Sequence, residues 1–345
     1  MHPLFAIMTY TRNGNILCIS IYLKSGDNIV VNRKYVVLLG DGMADYPMQE
    51  LGGKTPLQAA DKRNMDDLAK NGLTGTVKTI PEGLPAGSDV ANLSVMGYDP
   101  AVYYTGRSPF EAVSIGIRLG PDDVVFRCNL VTLSGEDHYH FKTMVDYSSD
   151  EISTEESGIL ISYLSQHLGT DNINFYSGIS YRHCMVWRNG PPDFEPNPLT
   201  PPHDISGKKI GSFLPFGTNG SILLEIMKKS HELLKNHPIN IKRAEKGLNP
   251  ANSVWFWGEG KKPSIPSFSD KFGISGSVIS AVDLVKGIGI CAGLNVVNVE
   301  GATGNFKTNY VGKAEKALQE LENGRDFVYI HIEAPDECGH RHESQ

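Results

Sequence analysis

Little in this 345-residue sequence points to covalent cross-links, membranes or polyanions. Cysteine is scarce. The five present, Cys18, Cys128, Cys184, Cys291 and Cys338, are odd in number and contain no Cys-x-x-Cys pair. That supports neither a disulfide framework nor a zinc ribbon and fits a cytoplasmic, reducing setting. No block of like charge stands out, and Lys+Arg total 32 against 39 Asp+Glu, a formal net charge of -7. This argues against nonspecific binding to nucleic acid or to an anionic membrane. Long apolar runs are missing as well: Arg12, Asn13 and Gly14 interrupt the N-terminal segment and leave only residues 16–23, too short to span a bilayer. That segment also lacks the basic start and small-residue cleavage site of a signal peptide. There is no internal repeat, no low-complexity tract and no Gly-x-x-x-x-Gly-Lys-Ser/Thr nucleotide loop. What remains is a chain long enough for roughly two domains, whose anionic ligands must be met by local cations.

Hydrophobic periodicity then divides the chain. Tyr35–Gly40 is a short apolar run closed by Gly40-Asp41-Gly42 and predicts a buried strand, while 56–71, with Leu57, Ala60, Leu68 and Ala69 ahead of Gly72, predicts a helix. The alternation returns late, with helices expected at 274–288 and 310–321 and strands at 295–300 and Phe327–Ile332, the βα units of a doubly wound sheet. The middle differs. Strand-like runs at Val124–Leu133, 181–187 and 253–257 and helices at 154–167 and 221–236 are separated by long connections. The six prolines within 189–202 exclude regular helix or central strand and predict a loop or lid. The expected organisation is an N-terminal extension at 1–33, a discontinuous sheet domain at 34–107 and 275–345, and an inserted α+β substrate domain at 108–274.

Three places carry chemistry. Asp41 follows the first strand, and Glu333-Ala334-Pro335-Asp336-Glu337-Cys338-Gly339-His340 follows the last, so two strands deliver hard metal-ligand groups at their C-terminal ends, where open α/β sheets place their sites. Asp336 and His340 are four apart, which on a helical turn puts a carboxylate and an imidazole on one face. An Asp-Gly after a strand is by itself more often a turn than a ligand, and a lone Asp and His more often a cap and a surface residue. Between these strands, Gly87-Ser88-Asp89-Val90-Ala91-Asn92 opens a helix whose free N–H groups and positive dipole end face an incoming phosphate, although a serine there is also an ordinary N-cap. Together the three describe in-line phosphoryl transfer to a serine assisted by metal.

At this point the sequence resembles a known family. Val36-Val37-Leu38-Leu39-Gly40-Asp41-Gly42-Met43-Ala44-Asp45, the Ser88 motif, Gly301-Ala302-Thr303-Gly304 and the 333–340 motif are similar to those of the archaeal-type cofactor-independent phosphoglycerate mutases of the alkaline phosphatase superfamily, over about 34–340. The resemblance implies an alkaline-phosphatase-like doubly wound sheet interrupted by a substrate-holding domain. It also implies two divalent metal ions, manganese first with magnesium or zinc as alternatives, and no 2,3-bisphosphoglycerate. Carried over by position, Asp41 and Ser88 ligate one metal, with Ser88 the phosphorylated nucleophile, and Asp336 and His340 ligate the other. The implied reaction interconverts 3-phosphoglycerate and 2-phosphoglycerate, a small phosphorylated substrate. Cations expected to hold it are Arg182 and His183, then Arg127 and Lys286, with His203 and Asp204 a further pair.

The same resemblance calls for a further Asp-His pair and one more His on elements that follow His340; residues 341–345 hold no Asp-His pair, and their one histidine is His342. The expectation is therefore a C-terminally truncated member, short of ligands and inactive on its own. Two other readings stay open. One is phosphoryl transfer to homoserine, or a phosphatase of the same superfamily, which a carboxylate placed for the substrate ammonium would favour. The other is a noncatalytic homologue that binds a metabolite or partner through the insert.

Overall fold

A computed structural model describes residues 6–10, 15–17, 33–196, 198–341 and 343. The chain divides into two compact units, Met1–Tyr104 with Ser264–Gln345, and Thr105–Pro263.

The first unit is built on a seven-stranded sheet in the order Asn295–Val296, Gly276–Ile279, Phe327–Ile332, Tyr35–Gly40, Ala6–Tyr10, Asn15–Leu17, Thr76–Lys78. The first five run parallel, and Asn15–Leu17 is antiparallel to both of its neighbours. Two strands from the segment expected as an extension thus belong to the sheet. The neighbours that matter most are Tyr35–Gly40 and Phe327–Ile332, paired in register from Phe327↔Tyr35 to Ile332↔Gly40. Leu38, Val36, Val328 and Ile330 pack with Ile279, Ala317 and Leu321 on one face. Pairing continues one residue past the strands, where Asp41 N donates to Ile332 O at 2.9 Å, so Asp41 and Glu333 emerge side by side.

Two helix expectations fail for physical reasons. Residues 274–288 form the strand Gly276–Ile279 and then the helix Asp283–Cys291. Four consecutive buried residues carry no periodicity that separates strand from helix. A Cβ on Gly276 would lie 2.8 Å from Phe327 and 2.9 Å from Leu294, so this position passes through the sheet only as glycine. The expected helix at 56–71 is two helices, Pro56–Ala59 and Arg63–Asn71. Thr55 and Gln58 form a capping box, Ala60 turns extended, and the Asp61 carboxylate accepts from Arg63 Nε and Nη2, both at 3.0 Å.

The second unit is an antiparallel sheet in which Val124–Leu133 lies between Arg182–Trp187 and Ser253–Lys261, with Ile173–Ile179 and Met144–Asp146 outside. Helices Thr154–Leu168 and Gly217–Leu234 lie against it, and a large core including Phe126, Cys128, Leu160, Met185, Met227 and Phe256 fills one face. The other face carries Ala112 and Ile117 against Val125, Cys184 and Val186. The proline-rich stretch is irregular but pinned: Phe194 and Leu199 are buried, and Trp255 Nε1 donates to Thr200 O at 2.8 Å. The two ends of the unit meet, since Thr105 Oγ1 donates to Lys261 O and a Cβ on Gly106 would strike Glu259 O at 2.1 Å. After Met144–Asp146, Ser149, Asp150 and Glu151 all take the left-handed conformation with φ of 53°, 54° and 47°. Buried Arg243 holds this strained turn by donating to Ser149 O and to Glu156, both at 2.6 Å.

Candidate functional site

In the sheet unit the polar groups gather at the carboxyl ends of the two central strands. His331 is paired with Leu39, so His331, Glu333 and Asp41 all project from the same face. His331 Nε2 lies 3.2 Å from Asp41 Oδ2 and 3.3 Å from Glu333 Oε2, and one ligand-type atom from each of the three falls within 4.8 Å of the others. Lys313, almost fully buried, donates to His331 O at 3.0 Å. Asp336 lies in the first turn of the helix Ala334–His340 that follows. Gly42, at φ 68°, lies so near that a Cβ there would sit 2.5 Å from the Asp336 backbone. His340 Nε2 is 3.5 Å from Asp336 Oδ2 and its side chain is 78% exposed.

Ser88 starts the eight-residue helix Ser88–Val95, with Gly87 at the cap and no side-chain cap bond. The helix is tied to the same strand: Asn92 Nδ2 donates to Ser88 O at 2.8 Å, and Tyr329 donates its hydroxyl to Asn92 Oδ1 at 2.5 Å. Asp89 is buried, accepting from Val90 N and from the Tyr104 hydroxyl.

The electrostatics of this cluster suit a cation. Burial, and then repulsion from Asp41, Asp336 and Glu337 that His331 only partly offsets, pushes the Glu333 carboxyl up to about 7. Asp336 is raised by burial and by Asp41. Glu333 Oε2 is buried and accepts no hydrogen bond among the described residues. Crowded carboxylates with an imidazole are a donor set for a hard or borderline divalent ion. His331 and Glu333 escaped the sequence reading, because only the register of two strands 290 residues apart brings them to Asp41.

The second unit holds a cationic cluster. Glu111, on the helix Ser108–Ser114, receives Arg107 Nε at 2.8 Å and Arg127 Nε at 2.9 Å. The Arg127 guanidinium lies 4.4 Å above the Trp257 ring, and the exposed Arg182 lies 4.7 Å above Tyr181, with no carboxylate partner among the described residues. His203 stands edge-on to Trp257 and Tyr147 and 3.6 Å from Asp204. Burial, with Arg127 and Arg107 nearby, lowers its imidazole despite Asp204.

One expected substrate cation is corrected. His183 points to the opposite face from Arg182, into the core, where Nδ1 accepts from Gly178 N at 3.0 Å. Burial pushes its imidazole down to about 3, so it is no cation. Lys286 lies in the sheet unit on the helix Asp283–Cys291, 3.7 Å from Asp283.

The fold and the site define the class: a mixed α/β protein with a parallel sheet and a ligand-type cluster at the carboxyl ends of its central strands. A family model described as 2,3-bisphosphoglycerate-independent phosphoglycerate mutase matches residues 69–240. The chain is 56% identical over 307 residues to a protein of Geobacter sulfurreducens named probable 2,3-bisphosphoglycerate-independent phosphoglycerate mutase, covering 89% of this chain and 75% of the relative. It is 54% identical over 308 residues to a Methanosarcina barkeri protein named 2,3-bisphosphoglycerate-independent phosphoglycerate mutase, with coverage of 89% and 75%. Among solved structures, a cofactor-independent phosphoglycerate mutase from Thermoplasma acidophilum superposes with TM-score 0.55 at 29% identity, covering 86% of this chain and 76% of that one. The PH0037 protein from Pyrococcus horikoshii does so with TM-score 0.71 at 33% identity, covering 90% and 72%. The chain belongs to the 2,3-bisphosphoglycerate-independent phosphoglycerate mutase family. Among the described residues no helix is long and apolar enough to cross a membrane.

Proposed function

We propose that this protein is a phosphoglycerate mutase that interconverts 3-phosphoglycerate and 2-phosphoglycerate through a phosphoserine at Ser88, serving glycolysis without added 2,3-bisphosphoglycerate. The observation that carries the reading is the 56% identity across 307 residues to a protein of that name, joined to an intact serine at a helix start and carboxylates at two strand ends. Ser88 Oγ forms a bond to phosphorus as the substrate ester oxygen leaves with the serine proton. The glycerate then turns, its other hydroxyl attacks the phosphoserine, and that hydroxyl's proton returns to Ser88 Oγ. The N–H groups at the start of the Ser88 helix that Asp89 does not take, with the positive end of the helix dipole, would favour the negative charge of the phosphoryl oxygens. Asp41 with Ser88, and Asp336 with His340, would hold two divalent ions, manganese first, whose charge when bound lowers the serine pKa and offsets the phosphoryl oxygens.

The substrate is wholly anionic, which suits the Arg127, Arg182 and Arg107 cluster in the second unit. Arg182, stacked on Tyr181 and exposed, is the guanidinium best placed to take the carboxylate or phosphate in a bidentate grip. Conversion of 3-phosphoglycerate, coupled to enolase with manganese present and no 2,3-bisphosphoglycerate, tests the reading. Turnover that Ser88→Ala abolishes is expected. An absence of turnover, or turnover indifferent to Ser88→Ala, would overturn it.

A further inference from the structure

Asp41 Oδ2, His331 Nε2 and Glu333 Oε2 converge at the carboxyl ends of two hydrogen-bonded parallel strands. Three features distinguish this trio from an ordinary buried ion pair. Glu333 Oε2 is buried and accepts no hydrogen bond, although His331 Nε2 lies only 3.3 Å away. A carboxylate oxygen in that state is costly unless it meets a cation or takes up a proton. Next, His331 Nδ1 lies 3.4 Å from Ser280 Oγ, a hydroxyl held in turn by Val282 N at 3.0 Å. With its proton on Nδ1 toward that hydroxyl, the ring turns the Nε2 lone pair to the two carboxylates, as in a metal-ligating histidine whose other nitrogen is held by a neighbour. Finally, Lys313 braces the carbonyl of His331, stiffening the strand that brings two of the three groups.

We propose that Asp41, His331 and Glu333 form a divalent-cation site of their own, distinct from any position held by Asp336 and His340. It would take a manganese-like ion through two carboxylate oxygens and one imidazole nitrogen, with water filling the remaining positions. The proposal does not depend on the mutase reading, because it is tested by binding.

The full chain and its His331→Gln, Glu333→Gln, Ser280→Ala and His340→Ala variants are titrated with Mn2+, free ion being counted by continuous-wave electron paramagnetic resonance. Nitrogen-14 modulation of the bound ion is read by the pulsed method. The expected result is a nitrogen signal that survives His340→Ala and disappears in His331→Gln. Affinity at this site should fall at least about tenfold in Glu333→Gln and about tenfold in Ser280→Ala, which leaves every ligand atom in place. Circular dichroism in EDTA checks that each variant is folded. If a ligand variant is not, the wild-type and Ser280→Ala titrations decide. Wild-type Mn2+ without nitrogen modulation, a signal lost only in His340→Ala, or a folded Ser280→Ala with unchanged affinity would each overturn the proposal in favour of a His331 that serves only as a hydrogen-bond partner of Asp41.

Discussion

Replacing Glu111 by Gln should unfold the second unit more readily and change how its stability depends on pH. The Glu111 carboxylate touches Arg107 at 2.8 Å and Arg127 at 2.9 Å, and the Arg127 side chain is only 12% exposed. At an effective dielectric of ~20, each charge pair with centres about 4 Å apart is worth ~4 kcal/mol before desolvation. Desolvation returns several kcal/mol of that, so the pair itself contributes little. Removing only the carboxylate, however, leaves Arg127 buried and uncompensated, a loss of about 3–5 kcal/mol. Burial alone would raise the Glu111 carboxyl, but Arg127 and Arg107 outweigh it and hold it below its ordinary value. Burial also pulls Arg127 down, yet a guanidinium stays charged near neutrality, so Glu111 is the group that titrates. A carboxyl depressed in the folded state contributes stability that is full above its unfolded pKa of about 4.3 and is lost as pH falls through the folded value. All three tryptophans, Trp187, Trp255 and Trp257, lie in this unit, so their fluorescence follows its unfolding alone. With a urea slope of about 2 kcal/mol/M, Glu111→Gln should move the midpoint down by about 1.5–2.5 M at pH 7, with a smaller gap from wild type at pH 4. A shift corresponding to under ~1 kcal/mol at pH 7, or a gap that does not narrow in acid, would refute the argument that the carboxylate is there to balance a buried arginine.

Gly42→Ala places a Cβ 2.5 Å from the Asp336 backbone at a φ of 68°, so it should lower sheet-unit stability by about 1–3 kcal/mol and weaken Mn2+ binding. Calorimetry with and without Mn2+ checks both, and wild-type behaviour would mean the turn does not set Asp336. His183 is held neutral, its imidazole at about 3 against an ordinary value of 6.5, so the unfolded chain takes up a proton first and stability falls as pH drops from about 6.5 toward 3. His183→Gln should flatten tryptophan-detected stability across that window, and an unchanged slope there would show that His183 does not titrate as its burial requires. Arg182→Ala should raise the KM for 3-phosphoglycerate about 10–100-fold, the loss of one charge-assisted contact worth about 1.5–3 kcal/mol, with tryptophan-detected stability nearly unchanged. An unchanged KM would move anion recognition to other cations.

The strands Tyr35–Gly40, Val124–Leu133 and Phe327–Ile332 were legible because each is a compact apolar run closed by turn residues, and the start of the Ser88 helix followed from its own small polar residues. Residues 274–288 were not, since a short buried strand and a buried helix turn have the same composition. At the site, Asp41 could be read from its place after a strand, whereas His331 and Glu333 depend on register between distant segments, which local sequence does not carry. The His183 error was avoidable in principle. Adjacent residues of a strand face opposite ways, so once Arg182 was assigned outward, His183 had to point into the core. Glu111 carried no local signal either, because its meaning comes from Arg127 on another element.

The meeting of the second unit's two ends has a consequence for how the chain finds its fold. The sheet closes only when the last central strand reaches the first, across a separation of 290 residues. If the 105–263 unit folds first, the bond between Thr105 and Lys261 ties off 156 of them. That cuts the loop still to be closed roughly in half and lowers its closure entropy by about 0.6 kcal/mol. The order in which this protein assembles is thus biased toward the middle of the chain, with the strand pair that carries Asp41 and Glu333 among the last structures to form during synthesis.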